Sequence, residues 1–319
     1  MVQKETAQQG TVQSASRIDV LVPDEAGIAA LADVPGVRAV RYDPAAELPP
    51  EAQTAEVVVA PFLATGEIVA ALGQLPKLRL VQLLTAGAEA WIGKLPDGVA
   101  LSDGRGAHGG ATAEWIVAAL LAVYRHLPRF LAAQAERQWD YHQTEELADK
   151  RVLIVGAGDV AEQTVARLAP FGVTTTLVGR RARDGVHAID EVRDLLPRHD
   201  ACVLIVPLTD ATRGLVDAAF LAAMPDGAVL VNAARGPVAD TDALVAELVS
   251  GRLRAALDVT DPEPLPADHP LWDAPGLLLT PHVGGSVPQA SKRAFAIAAA
   301  QIAEFAAGNT PPNLVQDGY

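Results

Sequence analysis

Residues 152–161 read Val152-Leu153-Ile154-Val155-Gly156-Ala157-Gly158-Asp159-Val160-Ala161, four apolar residues running into a G-x-G-x-x-A turn. The apolar run is a buried strand, Gly156 permits the tight turn, and Gly158 lets backbone N–H groups approach an anion with no side chain between. A helix starting at Asp159 and running to about Ala169 would aim its positive end at that anion, with Val160 in its first turn. Ala161 fills the third small position, where helix and strand must pack closely. The polar approach Leu147 to Arg151 precedes the turn, and a second apolar run, Val173 to Val178, follows at βαβ spacing. In that context the turn marks a dinucleotide pyrophosphate site; alone it would fit any tight strand-to-helix corner.

The 319 residues, half of them hydrophobic, suffice for two compact domains. A formal net charge of −14 with no compensating basic stripe argues against nucleic acid and against an anionic membrane surface. No apolar stretch approaches the roughly 18 residues that span a bilayer. The single cysteine, Cys202, lies inside the apolar run Ala201 to Val206, so no disulfide can form within the chain and a reducing cytoplasm fits. Residues 1–16 are polar and Gln-rich, without the apolar core of a signal peptide, and read as a disordered tail. No metal site is read from the sequence.

Strand-like segments at 18–21, 38–41, 56–60, 79–83 and 99–102 alternate with helical stretches around 25–31 and 65–73. A helix pair, Ala111 to Tyr124 and Pro128 to Gln138, then leads to the glycine turn, and the alternation restarts with strands near 151–155, 173–178, 201–206, 228–232, 254–257 and 277–280. The expected architecture is α/β: a doubly wound, Rossmann-type parallel sheet over residues 104–285, inserted in a smaller flavodoxin-like α/β domain of residues 17–103 plus 286–319. Apolar positions at helical spacing make Val287 to Ala307 one amphipathic helix that can return to the first domain.

Three segments beyond the glycine turn each end a strand, where open α/β sheets place ligands: Val231 to Gly236, Leu257 to Leu265, and Leu279 to Gly285. They supply a guanidinium, carboxylates and an imidazole. Taken singly, Arg235 reads as a surface cation or cap, Glu263 as a solvated acid in a Pro-rich loop, Asp258 as a turn cap, and His282 as a satisfied structural histidine. Together with Thr85-Ala86-Gly87-Ala88-Glu89, Ala113-Glu114, and Pro207-Leu208-Thr209 with Thr212, they occur in an order that resembles the D-isomer-specific 2-hydroxyacid dehydrogenase family, with a likeness to its NADP-type glyoxylate/hydroxypyruvate reductases.

The resemblance implies an oxidoreductase exchanging a hydride between a nicotinamide dinucleotide and a small 2-oxo or D-2-hydroxy acid. Arg235 would hold the substrate carboxylate and polarise its carbonyl, since its planar fork gives paired hydrogen bonds and keeps its charge. His282 would pass a proton to or from the substrate oxygen, and Glu263, bonded to that ring, would stabilise its charged form. Thr85, Ala86 and Gly87 would complete a carboxylate cradle. Val206, Pro207, Thr212, Ala233, Ala234, Asp258, Gly284 and Gly285, with His282, are implied around the cofactor. A homodimer, with the helices at 111–138 in contact, is implied as well.

The strand ending at Val178 is followed by Gly179-Arg180-Arg181-Ala182-Arg183, with no acid to accept an adenosine ribose. Arg180 and Arg181 are outliers in so acidic a chain and suit a 2′-phosphate, so NADP(H) is expected over NAD(H), the latter remaining possible. Asp159, counted with the cofactor-binding turn, puts a carboxylate there that adds no affinity for an anion and can point to solvent. Two rival readings keep the fold: a dinucleotide-sensing, corepressor-like protein without turnover, and oxidation of phosphite or formate. Glu263 counts against formate, because enzymes of that type carry Gln there.

Overall fold

Nearly continuous apolar strands returned by short helices close as parallel sheets covered on both faces. Two such sheets form in the computed structural model, which describes residues 17–62 and 66–316. The tail expected over 1–16 lies outside the described residues. The first sheet contains β1 (Ile18–Val22), β2 (Val37–Arg41), β3 (Ala55–Val59), β4 (Leu80–Gln82) and β5 (Ala100–Ser102), in the flavodoxin-like order β2-β1-β3-β4-β5. Its helices are α1 (Glu25–Leu31), capped by Asp24 through the Gly27 N–H at 3.0 Å, and α2 (Gly66–Leu72).

The helices α3 (Gly109–Tyr124) and α4 (Leu127–Ala135) lead to the second sheet. Its strands are β6 (Arg151–Val155), β7 (Thr174–Gly179), β8 (Val186–Ala188), β9 (Ala201–Leu204), β10 (Val229–Asn232), β11 (Arg254–Leu257) and β12 (Leu277–Leu279). They lie in the order β12-β11-β10-β9-β6-β7-β8, every pair parallel, so the winding reverses between β6 and β9. That reversal is the crevice where such sheets bind ligands. The covering helices are α5 (Asp159–Leu168), α6 (Val192–Leu195), α7 (Ala218–Ala223) and α8 (Thr241–Val249).

The last helix, α9 (Pro288–Ala306), leaves the second sheet and buries Ala294, Phe295, Ala298 and Ile302 against Val20 and Val57 of the first. The chain then runs beside β5, where the Val315 N–H donates to the Leu101 carbonyl at 2.8 Å.

Three elements differ from the sequence expectation. β8 was not expected, because its three residues carry one buried apolar side chain, Val186. The strand expected to reach Val206 ends at Leu204, since the chain there turns out of the sheet beside the glycine turn. The second helix of the pair stops at Ala135 and not at Gln138: Arg137 takes a φ of 58°, the left-handed conformation that ends helices. Among the described residues no single helix is long and apolar enough to cross a membrane; α3 and α4 together match in length and composition but bend by 66°, and half of α3 is buried.

Candidate active site

The glycine turn sits at the switch point. Gly156 holds φ at 128°, and a Cβ there would stand 2.6 Å from the Ile205 carbonyl oxygen, so a side chain is excluded twice over. No side chain caps α5, whose N-cap is Gly158, and an added Cβ on Gly158 would meet nothing within 4 Å. Uncapped helix donors facing open space suit a diphosphate. Val160 is partly buried and Ala161 fully buried, packed in the core that α3 shares with β6.

Asp159 has a neighbour that the sequence does not reveal. Its half-buried carboxylate packs on Gly109, the first residue of α3, so that a Cβ at Gly109 would collide with it. The charge therefore stands at the positive end of a second helix, which favours it there.

Beyond β7, Arg180 and Arg181 are exposed, as the phosphate reading requires. Arg183, not expected at the site from the sequence, donates from Nη2 to the Ala157 carbonyl inside the glycine turn at 2.7 Å and flanks buried Gly179. Val206 packs on the sheet's core and Pro207 is exposed. The Thr212 hydroxyl donates to the Pro207 carbonyl at 2.6 Å and accepts the Thr209 N–H at 2.8 Å, so it staples its own loop.

At the end of β10, buried Asn232 accepts the Ala234 N–H at 3.0 Å and donates to the Arg235 carbonyl at 3.1 Å. The Ala233 N–H is taken by the Leu204 carbonyl. This turn, whose signal was a lone amide closing an apolar strand, fixes where Arg235 leaves the backbone. Arg235 Nη1 donates to the Ala234 carbonyl at 2.6 Å. Its Nη2 reaches across to the loop after β4 and occupies the place a Cβ of residue 87 would take. Gly87 is therefore the point at which the two sheets meet around a guanidinium. Thr85 Oγ donates to the Gly87 carbonyl at 3.2 Å, shaping that loop, and Ala86 beside it is exposed. Phe62 stands with its ring 5.4 Å from that of His108, whose Nε2 lies 3.0 Å from the Leu84 carbonyl just before that loop.

Gly236 brings the next loop in, since a Cβ there would collide with the Thr260 carbonyl. That loop carries Glu263, whose Oε1 lies 2.7 Å from Nδ1 of His282, both side chains nearly half exposed. A carboxylate only accepts, so Nδ1 carries the proton and Nε2 is left as the position that gains or loses one.

His282 holds φ at 55°, a conformation costing a non-glycine residue about 1–3 kcal/mol. Asp258 maintains it. The Asp258 carbonyl accepts the His282 N–H at 2.7 Å, and the buried carboxylate accepts the Thr280 hydroxyl at 2.6 Å and the Val283 and Gly284 N–H groups at 2.9 and 2.8 Å. The capping reading of Asp258 thus accounts for its contacts. Gly285 completes the turn, its carbonyl 3.3 Å from Nδ1 of His108. Arg235, Glu263 and His282 consequently share one set of strand-end loops. Among the described residues no group of His, Cys, Asp or Glu is arranged to hold a metal.

Residues 117–284, just over half of the chain, match the family model described as D-isomer specific 2-hydroxyacid dehydrogenase, NAD binding domain. The chain belongs to this family. Its members are nicotinamide-dependent oxidoreductases, and the glycine turn lies within the matched residues. A glyoxylate reductase from Thermofilum pendens is 35% identical over 218 residues, 64% of this chain and 64% of that protein, slightly under two thirds of the relative's length. Two solved structures extend the likeness across both sheets. A D-isomer specific 2-hydroxyacid dehydrogenase from Xanthobacter autotrophicus, in complex with NADPH and MES, is 29% identical with a TM-score of 0.81, covering 93% of this chain and 98% of that one. An NADPH-dependent glyoxylate/hydroxypyruvate reductase from Sinorhizobium meliloti, in complex with NADP and sulfate, is 27% identical with a TM-score of 0.80, covering 94% and 98%.

Proposed function

We propose that this member of the family is an NADPH-preferring reductase of small 2-oxo acids, with glyoxylate- or hydroxypyruvate-like substrates favoured. The observation that carries the reading is the 2.7 Å Glu263–His282 pair in the loops that also present Arg235 to Gly87. A bound nicotinamide supplies the hydride. The Gly156–Gly158 turn and the first amides of α5 would hold its diphosphate. Arg180, Arg181 and Arg183 would meet the adenosine phosphate, a reading supported by the lack of an acid from the end of β7 to Arg183 and by the NADP ligands of the two similar structures.

In the chain's own chemistry, Arg235 fixes the substrate carboxylate against the amides around Gly87 and polarises the neighbouring carbonyl. His282, protonated at Nε2, delivers a proton to the carbonyl oxygen, and Glu263 holds the ring in register and balances the charge it carries before transfer. Val206, Pro207, Thr212, Ala233, Ala234, Asp258, Gly284 and Gly285 act chiefly by shaping the loops that carry these groups. We assign residues 17–103 plus 286–319 to a substrate-binding unit and 104–285 to the nucleotide unit, with closure between them excluding water.

A homodimer fits the exposed arm. Leu131 on α4 is 64% exposed and Trp139 after it is 95% exposed, beside a groove of about 520 Å³ that Phe130, Trp139 and His142 line. The acidic, single-cysteine composition suits a cytoplasmic enzyme. The decisive experiment follows NADPH oxidation at 340 nm over a panel of 2-oxo acids. Turnover with glyoxylate or hydroxypyruvate is expected; cofactor binding without consumption would establish the sensor reading instead.

A further inference from the structure

Glu89 stands on the loop after β4, and its carboxylate faces two loops of the opposite sheet. Oε1 lies 3.5 Å from Nε of Arg235 at the end of β10 and accepts the Leu208 N–H, from the loop after β9, at 3.3 Å. Oε2 lies toward Gly87, 2.9 Å from where a Cβ of that residue would be. One carboxylate therefore ties together the three loops that frame the cleft. It is only 23% exposed, so its charge depends on these partners more than on water.

The consequence for Arg235 is geometric. Nη1 is engaged by the Ala234 carbonyl, Nε faces Glu89, and Nη2 is what remains over Gly87. A guanidinium on a long stem loses rotamer freedom whenever it docks an anion, and a fork already held on two sides loses less. We propose that Glu89 is a positioning residue that aims Arg235 at the carboxylate cradle, an inference that rests on the reductase reading above. Glu89 does not itself contact substrate; it acts through the fork and through the Leu208 amide. Its effect falls on substrate capture more than on proton transfer, which belongs to His282.

The test measures KM and kcat for the best 2-oxo acid, KM for NADPH, and the affinity of oxalate for NADP⁺-loaded protein by calorimetry, in native protein and in Glu89→Ala and Glu89→Gln. Glu89→Ala should raise KM for the 2-oxo acid and the oxalate Kd at least about tenfold, with kcat and the NADPH KM changed less than about threefold. Glu89→Gln keeps an acceptor oxygen and should restore most of the loss. Native KM and oxalate Kd in Glu89→Ala would overturn the inference, as would a loss confined to kcat. If that variant does not fold, Glu89→Asp, which withdraws the carboxylate by one methylene, must show the same rise in KM, and a native value in it overturns the proposal. Native protein that neither reduces a 2-oxo acid nor takes up oxalate would instead remove the reductase reading itself.

Discussion

Glu263 and His282 follow different strands, β11 and β12, yet Oε1 of one lies 2.7 Å from Nδ1 of the other. A proton donor oriented this way loses its function when the ring is lost and loses its alignment when the acid is lost. His282→Gln should lower kcat with the 2-oxo acid by about 10²–10⁴-fold, and Glu263→Ala should lower it less, with NADPH binding retained in both. Steady-state kinetics with a fluorescence titration of NADPH checks this, and near-native turnover in His282→Gln removes the residue from the mechanism.

Gly87→Ala places a methyl group where Arg235 Nη2 now stands. The guanidinium is the end of a flexible side chain and gives way, so folding is spared while the fork is displaced. KM for the 2-oxo acid should rise about tenfold with an unchanged melting temperature. An unchanged KM would mean that the meeting of Arg235 with this loop is incidental to substrate binding.

The cofactor reading turns on the cations after β7. Native kcat/KM for NADPH should exceed that for NADH by at least about tenfold, and Arg180→Ala and Arg183→Ala should each remove much of that ratio by weakening NADPH alone. Arg183 also donates into the glycine turn, so its variant should weaken NADH slightly as well. Equal efficiencies for the two cofactors in the native enzyme would discard the preference.

Burial holds the His199 imidazole below its usual range, and its nitrogens lie 2.8 Å from the Leu195 carbonyl and 2.9 Å from the Thr176 hydroxyl. The unfolded chain therefore takes up a proton that the folded chain refuses. The stabilisation is complete above about pH 6.5, the unfolded value, and declines as pH falls from there through the lower folded value. Urea melts between about pH 5 and pH 8 should show stability rising with pH, and His199→Gln should flatten that slope whatever its overall stability. An identical slope in the variant would assign the pH dependence to other groups.

The exposed arm gives the assembly prediction. Sedimentation equilibrium should find a dimer, and the double variant Leu131→Asp, Trp139→Ser should shift it toward monomer, because charge and lost area both act on the exposed apolar side chains of the arm. A native monomer would end the proposal.

Much of this was legible in the chain before its fold. The glycine turn announced itself because Val152 to Val155 are apolar throughout, as a strand buried on both faces must be, and Arg235 and His282 stood out by ending strands. What was not legible depends on distances between loops far apart in sequence. No pattern near Glu89 points to Arg235, none near Asp159 points to Gly109, and the fourfold engagement of Asp258 exists only once β11 and β12 lie side by side. β8 escaped because a three-residue strand with one buried valine has no period to detect.

The partnership of α9 and Val315 with strands laid down near the start of the chain sets an order of events during synthesis. A ribosome releases the whole second sheet before it releases the helix that covers Val20 and Val57, so the earlier sheet waits, half clothed, while the later one is already complete. The vulnerable interval in this protein's biogenesis therefore belongs to the sheet of β1 to β5, and a truncation that removed α9 would strand it in that state even though the entire glycine-turn sheet remained intact.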